Sequence, residues 1–418
     1  MRHSIKSTMF VGAFLFGLLM CFTSCEDILG EWSKPTPVTP TTVSVTSITL
    51  DQTTLNKKVG DAAVTLNATV SPDNATDKSL TWTSDKPAVA TVADGVVTFK
   101  GAGTAIITAT ANDGSGVEAT CTVTVTISGL LAGKFTINGD ATNNQVQFSQ
   151  GNLQYTKSTG IWSFMEHQWT TVETNGSVGD DYSSQGVVSL FGWGTSGYNH
   201  GATCYLPYST DNDYAKYSAY GDASKNLYDE TGQADWGYNK ISNGGDAENS
   251  GWRTLTKDEW VWLLGPETSP NPGTNCRTSS TIGGTANARF AKAFLDTNSD
   301  GTGDIHGIII FPDDYTHPTG VADPTGINKT DGTSWSGNKY NAADWSSLES
   351  AGCVFLPVAG NRAPSTVYNS TDQGTYWSST RKDATNAFRV FFSNAKVVPD
   401  EQDGTNNGKS VRLVYDVL

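Results

Sequence analysis

Leu80-Thr81-Trp82-Thr83-Ser84, Pro87-Ala88-Val89-Ala90-Thr91-Val92, Asp94-Gly95-Val96-Val97-Thr98 and Gly101-Ala102-Gly103-Thr104-Ala105-Ile106-Ile107-Thr108-Ala109-Thr110 follow one another almost without a break. Apolar residues alternate with Thr and Ser in each of them, which is the period-two signature of a strand with one face buried. Outward from this stretch the same alternation appears at Ser47-Ile48-Thr49-Leu50 and at Val64-Thr65-Leu66-Asn67-Ala68-Thr69-Val70, and the pattern runs on to Thr126. Turn formers separate the runs: Pro72-Asp73-Asn74, Ser84-Asp85-Lys86-Pro87, Asp94-Gly95 and Gly101-Ala102-Gly103. Short strands at regular spacing with turn chemistry between them predict a β-sandwich. Asp94-Gly95 reads as a hairpin turn and Trp82 as a core residue between the sheets.

These motifs resemble the bacterial immunoglobulin-like group 2 family over residues 43–127. The resemblance implies an Ig-like sandwich of the kind that acts as a stalk or spacer in surface proteins.

The N-terminus predicts how such a module reaches a surface. Arg2 and Lys6 precede an apolar run from Met9 to Phe22, shorter than the about 20 residues a spanning helix needs. A basic start and a short apolar run are the features of a secretory signal. Phe22-Thr23-Ser24-Cys25 then resembles a lipobox, which makes residues 1–24 a lipoprotein signal peptide and Cys25 the lipid-bearing first residue. Glu26 and Asp27 resemble the surface-export signal of Bacteroidetes lipoproteins. Residues 25–42, Pro- and Thr-rich from Glu31, read as an extended spacer. The expected location is therefore the outer membrane, lipid-anchored and facing the exterior.

The 418 residues suggest two or three domains. A net charge of −15 repels phosphate backbones and argues against nucleic acid as a partner. Charged residues make up 17% while aromatics reach 10%, with 12 Trp, which fits a loop-rich, mainly β extracellular protein. Cys121, Cys204, Cys276 and Cys353 remain after the signal and the anchor, with no CxxC pair. A Cys204–Cys276 disulfide and buried free thiols both stay open.

Residues 134–418 read differently, and Gly129–Gly133 looks like a short hinge before them. Gly–aromatic pairs such as Phe191-Gly192-Trp193-Gly194 and Trp236-Gly237-Tyr238 abound. A helix is predicted at Thr256–Leu264, with Thr256 and Glu259 as a capping box, and another at Asn341–Ala351, with Asn341 as N-cap and Gly352 past its end. Strands are expected at Val146–Phe148, Gly307–Phe311, Cys353–Pro357, Phe388–Phe392 and Ser410–Tyr415. Trp252-Arg253-Thr254-Leu255-Thr256 with Glu259-Trp260 resembles a segment of the formylglycine-generating enzymes. So does the ending Tyr376-Trp377-Ser378-Ser379-Thr380, Ala387-Phe388 and Gly408-Lys409-Ser410-Val411-Arg412-Leu413-Val414. With Phe191–Gly194 and Ile241-Ser242-Asn243-Gly244-Gly245, these segments are similar to the major paralogous lipoprotein family of Fibrobacter and Bacteroidetes. The resemblance implies a C-type-lectin-like fold. The expected fold class is thus mainly β with an α+β C-terminal part.

Catalysis is not signalled. The formylglycine enzymes use a late cysteine pair, and Cys353 is the only cysteine after Cys276. No nucleophile elbow, metalloprotease helix or phosphate loop occurs, and adjacent acids such as Asp313-Asp314 or Asp258-Glu259 are weak grounds for a glycosidase. Arg412 reads as structural.

Two binding features stand out. Asp296, Asn298, Asp300, Thr302 (through its carbonyl) and Asp304 have the spacing of a calcium loop with Gly301 at its turn, but Gly307 stands where the bidentate glutamate belongs. A polar turn on a hairpin fits the same residues. Trp193, Tyr198, Tyr214, Tyr217 and Tyr220 are candidate ligand-binding residues, in a stretch whose Tyr, Ser, Asn and Gly mixture suits recognition. Core packing is the alternative, favoured for Trp193 with Trp236, Trp252 and Trp260. The expected function is a surface lipoprotein that presents a lectin-like head to an extracellular glycan or to a host or bacterial surface protein. A retroelement-diversified binder, varied around Ser378–Asn407, and an architectural or pilus-associated subunit are the alternatives.

Overall fold

The structure is a computed structural model that describes residues 41–417 apart from 140–143, 267–275, 299, 301–304 and 333. The expected signal peptide, Cys25 and the expected spacer up to residue 40 lie outside the described residues, as do Thr302 and Asp304. Met1–Val43 and Ser44–Leu418 are separate units. Among the described residues no helix is long and apolar enough to cross a membrane.

In the N-terminal part of the second unit, Ser47–Leu50 pairs antiparallel with Ala68–Ser71. A four-stranded sheet runs in the order Thr54–Lys58, Glu118–Thr126, Gly103–Ala111 and Leu80–Ser84, and its first pair is parallel. A three-stranded sheet holds Val64–Thr65, Val96–Phe99 and Ala90–Ala93. Alternation in the sequence becomes alternation in space: Ala105, Ile107 and Ala109 of one strand and Cys121, Val123 and Val125 of its neighbour are all buried. Fully burying a side chain of the size of Ile107 or Val123 contributes about 1.5–3 kcal/mol.

Asp94 and Gly95 both take positive φ at the expected hairpin turn. A side chain at Gly95 would fall 2.8 Å from the Leu66 carbonyl oxygen, so glycine is required there. Trp82 is only half-buried, against this turn, and does not fill the centre. Leu80–Ser84 is the outer strand of its sheet, and the middle of the core is taken by Val97, Phe99 and Ile107.

The C-terminal part is built of small sheets joined by long irregular stretches. Phe135–Thr136, Gln145–Phe148, Leu413–Asp416 and Trp252–Thr254 form one sheet, which brings the two ends of this part side by side. Lys339–Asn341, Phe290–Asp296, Ile305–Ile310 and Val354–Pro357 form another, and Gln373–Arg381, Asn386–Ser393 and Val397–Gly404 form an antiparallel meander. Helix α1 (Lys257–Leu264) carries the expected capping box between Thr256 and Glu259 and buries Trp260, Leu263 and Leu264. Helix α2 (Ala342–Ser350) is capped by Asn341 and buries Trp345 and Leu348, and Gly352 beyond it takes φ +90°. The expected strand Ser410–Tyr415 is shorter, Leu413–Asp416. Its predicted first residues instead bond to other partners: Ser410 N–H donates to Thr375 O at 3.0 Å, and Val411 O accepts from Leu153 N–H at 2.9 Å.

Gly129–Gly133 is not a free hinge. Gln150 N–H donates to Gly129 O at 2.6 Å and Leu131 N–H to Phe148 O at 2.9 Å. A side chain at Gly133 would meet the Gly352 carbonyl oxygen at 2.0 Å. One apolar cluster runs from the sandwich core through Val59 and Ile127 into Phe164, Ile241, Trp252 and Tyr415. Apolar residues of both parts therefore share one core.

Cys121, Cys204, Cys276 and Cys353 are all buried and free, so of the two open readings the structure takes the unpaired one.

Candidate functional site

The strands Leu153–Thr156 and Ile161–Phe164 form a tight hairpin in which Tyr155 stands opposite Trp162. Their rings lie 4.9 Å apart, and Tyr155 also stacks on Tyr208 at 6.3 Å. Trp162 pairs in turn with Ile241, and its carbonyl accepts from Ser242 N–H at 2.9 Å, which swings the Lys240–Glu248 loop beside the hairpin. Gly197 closes the third side through its N–H to Tyr205 O at 2.8 Å and brings Tyr198 along.

The result is a cleft of about 440 Å³, within the range of small-molecule sites. Tyr155, Trp162, Tyr198, Leu206 and Pro207 give it apolar walls, and Asn239, Lys240, Asp246 and Glu248 give it polar ends. Tyr198 is half-buried and its ring meets Tyr238 edge-on at 5.2 Å. Burial raises the Tyr198 phenol above its ordinary range, and hydrogen bonding and charge from Glu248 raise it further. Lys240 Nζ lies 3.4 Å from Asp246, with both side chains well exposed. Asn239 is locked by donating to Ser196 O at 2.9 Å and to Trp236 O at 3.0 Å. Chemically the cleft offers an aromatic wall, carboxyl acceptors and an amine donor within one concave surface.

The five aromatic residues singled out from sequence separate into distinct environments. Tyr198 lies in the cleft. Trp193 and Tyr217 are fully buried: Trp193 takes the core place favoured for it, and Tyr217, a candidate for ligand contact, is in the core as well. Trp193 donates to Ser378 O at 3.0 Å beneath the Arg381 guanidinium, and Tyr217 donates to Asp211 O at 3.1 Å. The physical reason is a region poor in aliphatic residues, in which aromatics must supply the core. Tyr220 is half-buried and donates to Leu227 O, while Tyr214 is exposed but stands against Gly404, away from the cleft lining. Tyr155, Trp162, Lys240, Asp246 and Glu248 were not legible as a site, because the loop and the hairpin are far apart in sequence. The Gly-rich turn Ile241–Gly245 was the signal available for them.

Among the described residues of the candidate calcium loop, Asp296 is buried at the end of its strand and accepts from Asp300 N–H at 3.1 Å. Asn298 Oδ1 accepts from the same N–H at 3.0 Å, and Lys339 Nζ lies 3.9 Å from Asp296. The segment connects two paired strands, Phe290–Asp296 and Ile305–Ile310. No cluster of three His, Cys, Asp or Glu able to hold a metal occurs among the described residues.

Of the carboxylates weighed for catalysis, Asp313 and Glu259 have structural work. Asp313 accepts from Arg277 at 3.1 Å, from Thr136 N–H at 2.6 Å and from Gln145 at 3.0 Å. Glu259 caps α1 and binds Arg253 at 2.9 Å. Burial pushes the Cys353 thiol far up, which keeps it protonated and inert. Arg412, read as structural, is buried just before the last strand and reaches Gln168 at 2.9 Å.

Comparison with known proteins bears on the N-terminal part. Residues 44–123 match the Bacterial Ig-like domain (group 2) family. An Ig-like virion protein of Serratia phage KSP90 is 40% identical over 112 residues, 26% of this chain and 42% of that protein. An uncharacterised protein of Clostridium acetobutylicum is 37% identical over 100 residues, 23% of this chain and 25% of that protein. An alpha-L-arabinofuranosidase of Bifidobacterium longum is 36% identical over 122 residues, 28% of this chain and 11% of that enzyme. The chain spans less than half the length of each of these relatives. Among solved structures, domains 5–6 of the S-layer protein SbsC align at 18% identity and a TM-score of 0.17, covering 25% of this chain and 62% of that one. With the alternating core, the Asp94-Gly95 turn and the sheet order above, residues 44–123 are a bacterial Ig-like domain of group 2.

Proposed function

We propose that this protein is an exported lipoprotein, anchored through Cys25 on the outer face of the outer membrane. Its Ig-like domain carries a C-type-lectin-like head that recognises an extracellular glycan through the cleft at Tyr198. The observation that carries this reading is the meeting of Tyr198 with Asn239, Lys240, Asp246 and Glu248 on one concave surface. An aromatic face packs against the C–H face of a sugar ring, and carboxylates accept from its hydroxyls. The paired ends of the C-terminal part, its two helices and its terminal meander support the lectin-like assignment. Binding is favoured over catalysis by the structural engagement of Asp313 and Glu259 and by the inert Cys353. The arabinofuranosidase match covers 11% of that enzyme, so it supports a shared accessory module and not a shared activity. The Ig-like virion protein match fits a role at a surface. Ser378, Ser379, Thr405 and Asn406 are buried within Ser378–Asn407, which disfavours wholesale variation there.

The test is a glycan array probed with the chain from Glu26 onward, beside Tyr198→Ala and Glu248→Gln, each with calcium and with chelator. A hit that both variants lose supports the cleft. A blank array, or a hit that both variants keep, overturns it. Loss in chelator would add calcium at the Asp296–Asp304 loop, and indifference to chelator would remove it from the reading.

A further inference from the structure

Lys409 is fully buried between the meander and the last strand. Its backbone is fixed on both sides. Lys409 and Phe191 exchange N–H···O bonds at 3.0 and 2.9 Å, and the preceding Gly408 exchanges bonds with Arg362 at 2.8 and 3.0 Å. Because Arg362 stands opposite Gly408, antiparallel pairing sets Asn361 opposite Lys409, where side chains share a face. The Lys409 Nζ donates to the Asn361 side-chain oxygen and to Asp403 Oδ2, the latter at 2.8 Å. The Trp377 ring lies 5.4 Å from Nζ. The charged groups facing Lys409 are Asp403, Arg389 and Arg362.

This is an amine held on an amide carbonyl beside a carboxylate, inside the protein. Burial pulls the ammonium down to about 7 although Asp403 pulls the other way, which favours the neutral, nucleophilic amine. Burial disfavours charge on Asp403 as well, but Lys409 and Arg389 outweigh it and hold the carboxyl below its usual range. Arg389 Nη1 lies 2.9 Å from that carboxylate. Asp403 Oδ2 is thus placed to take a proton from Nζ.

We propose that Lys409 and Asn361 join in an intramolecular isopeptide cross-link, with Asp403 as the proton carrier. The Nζ lone pair forms a bond to the side-chain carbonyl carbon of Asn361. Asp403 takes a proton from Nζ and returns it to the Asn361 side-chain nitrogen. The bond from that nitrogen to the carbonyl carbon breaks and ammonia leaves. Nothing is oxidised or reduced, and no co-reactant is needed. Folding supplies the rate, because strand pairing turns a sluggish bimolecular aminolysis into a positioned unimolecular one. The bond would tie the Asn361–Arg362 strand to the Lys409 segment in a molecule whose described cysteines are all free.

The test is tryptic digestion of the purified full chain followed by tandem mass spectrometry. The expected product is a branched peptide that joins the Asn361 and Lys409 segments, lighter than their sum by one ammonia and uncut at Lys409. Linear peptides cut at Lys409, with an intact Asn361, would overturn the proposal. Ring closure at Asn407-Gly408 also releases ammonia but leaves Lys409 cleavable and no branch, so it counts against the cross-link. Lys409→Met and Asn361→Ala should lack the branched peptide. In Asp403→Asn it should form about a hundredfold or more slowly, the size of a general acid–base contribution, and equally fast formation would remove Asp403 from the step. Wild type decides the matter even if a variant fails to fold.

Discussion

Tyr415, on the last strand, accepts a hydrogen bond from the backbone N–H of Ala102 in the Ig-like domain at 3.0 Å. The same ring packs edge-on to Trp252 at 5.5 Å and covers Gly251. One residue thus links the final strand, the core beneath it and the neighbouring domain. Tyr415→Phe keeps the ring and leaves the Ala102 N–H without its partner. The expected cost is about 1–3 kcal/mol, read from chemical denaturation. A change within error would show that the two parts are held by apolar contact alone.

Gly60 makes the complementary prediction from the other side of that junction. Its φ is +87°, and a side chain there would fall 2.4 Å from the Gly245 carbonyl oxygen. Gly60→Ala should destabilise by more than about 1 kcal/mol. It should also raise protease cleavage between the two parts, which limited proteolysis would detect.

Buried and exposed aromatics should respond oppositely. Trp193→Ala is expected to cost about 3–5 kcal/mol, as for other buried Trp truncations. Tyr228, 50% exposed, should change stability by no more than about 0.5 kcal/mol on truncation to Ala. Thermal melts of the two variants check the contrast, and a small effect at Trp193 would contradict its place in the core.

His200 predicts a pH dependence. Its Nδ1 accepts from Tyr220 N–H at 3.0 Å, and its Nε2 contacts Gly194 O at 2.8 Å. Burial lowers its pKa below 6.5, opposed by the hydrogen bond to Gly194. The unfolded chain therefore binds this proton at a higher pH than the folded one. The sign follows: stability from His200 is complete above pH 6.5 and is lost as pH falls through that value toward the folded pKa. Stability measured between pH 7.5 and 5 should fall less steeply in His200→Gln than in wild type. Equal slopes would mean that His200 does not titrate in this window.

Thiol chemistry gives a direct check on the cysteines. Cys121, Cys204, Cys276 and Cys353 should alkylate in denaturant without prior reduction, and Cys353 should resist labelling in the native state. A requirement for reductant would mean that a disulfide forms.

Much of the molecule is decided by local patterns. The Ser47–Leu50 and Val96–Phe99 strands, the Asp94-Gly95 turn and both capped helices follow from periodicity, positive-φ chemistry and capping, each of which acts within a few residues. Those signals also sufficed to place the Ig-like domain. Tertiary structure decided the rest. Trp193 and Tyr198 stand five positions apart with similar polar and glycine neighbours, yet one is buried under Arg381 and the other lines a cleft. The cleft exists because a hairpin at Tyr155–Trp162 meets a loop at Lys240–Glu248, and Lys409 finds Asn361 only through the pairing of Arg362 with Gly408. Burial and long-range pairing depend on which distant segments close on one another, and no short window of sequence carries that information.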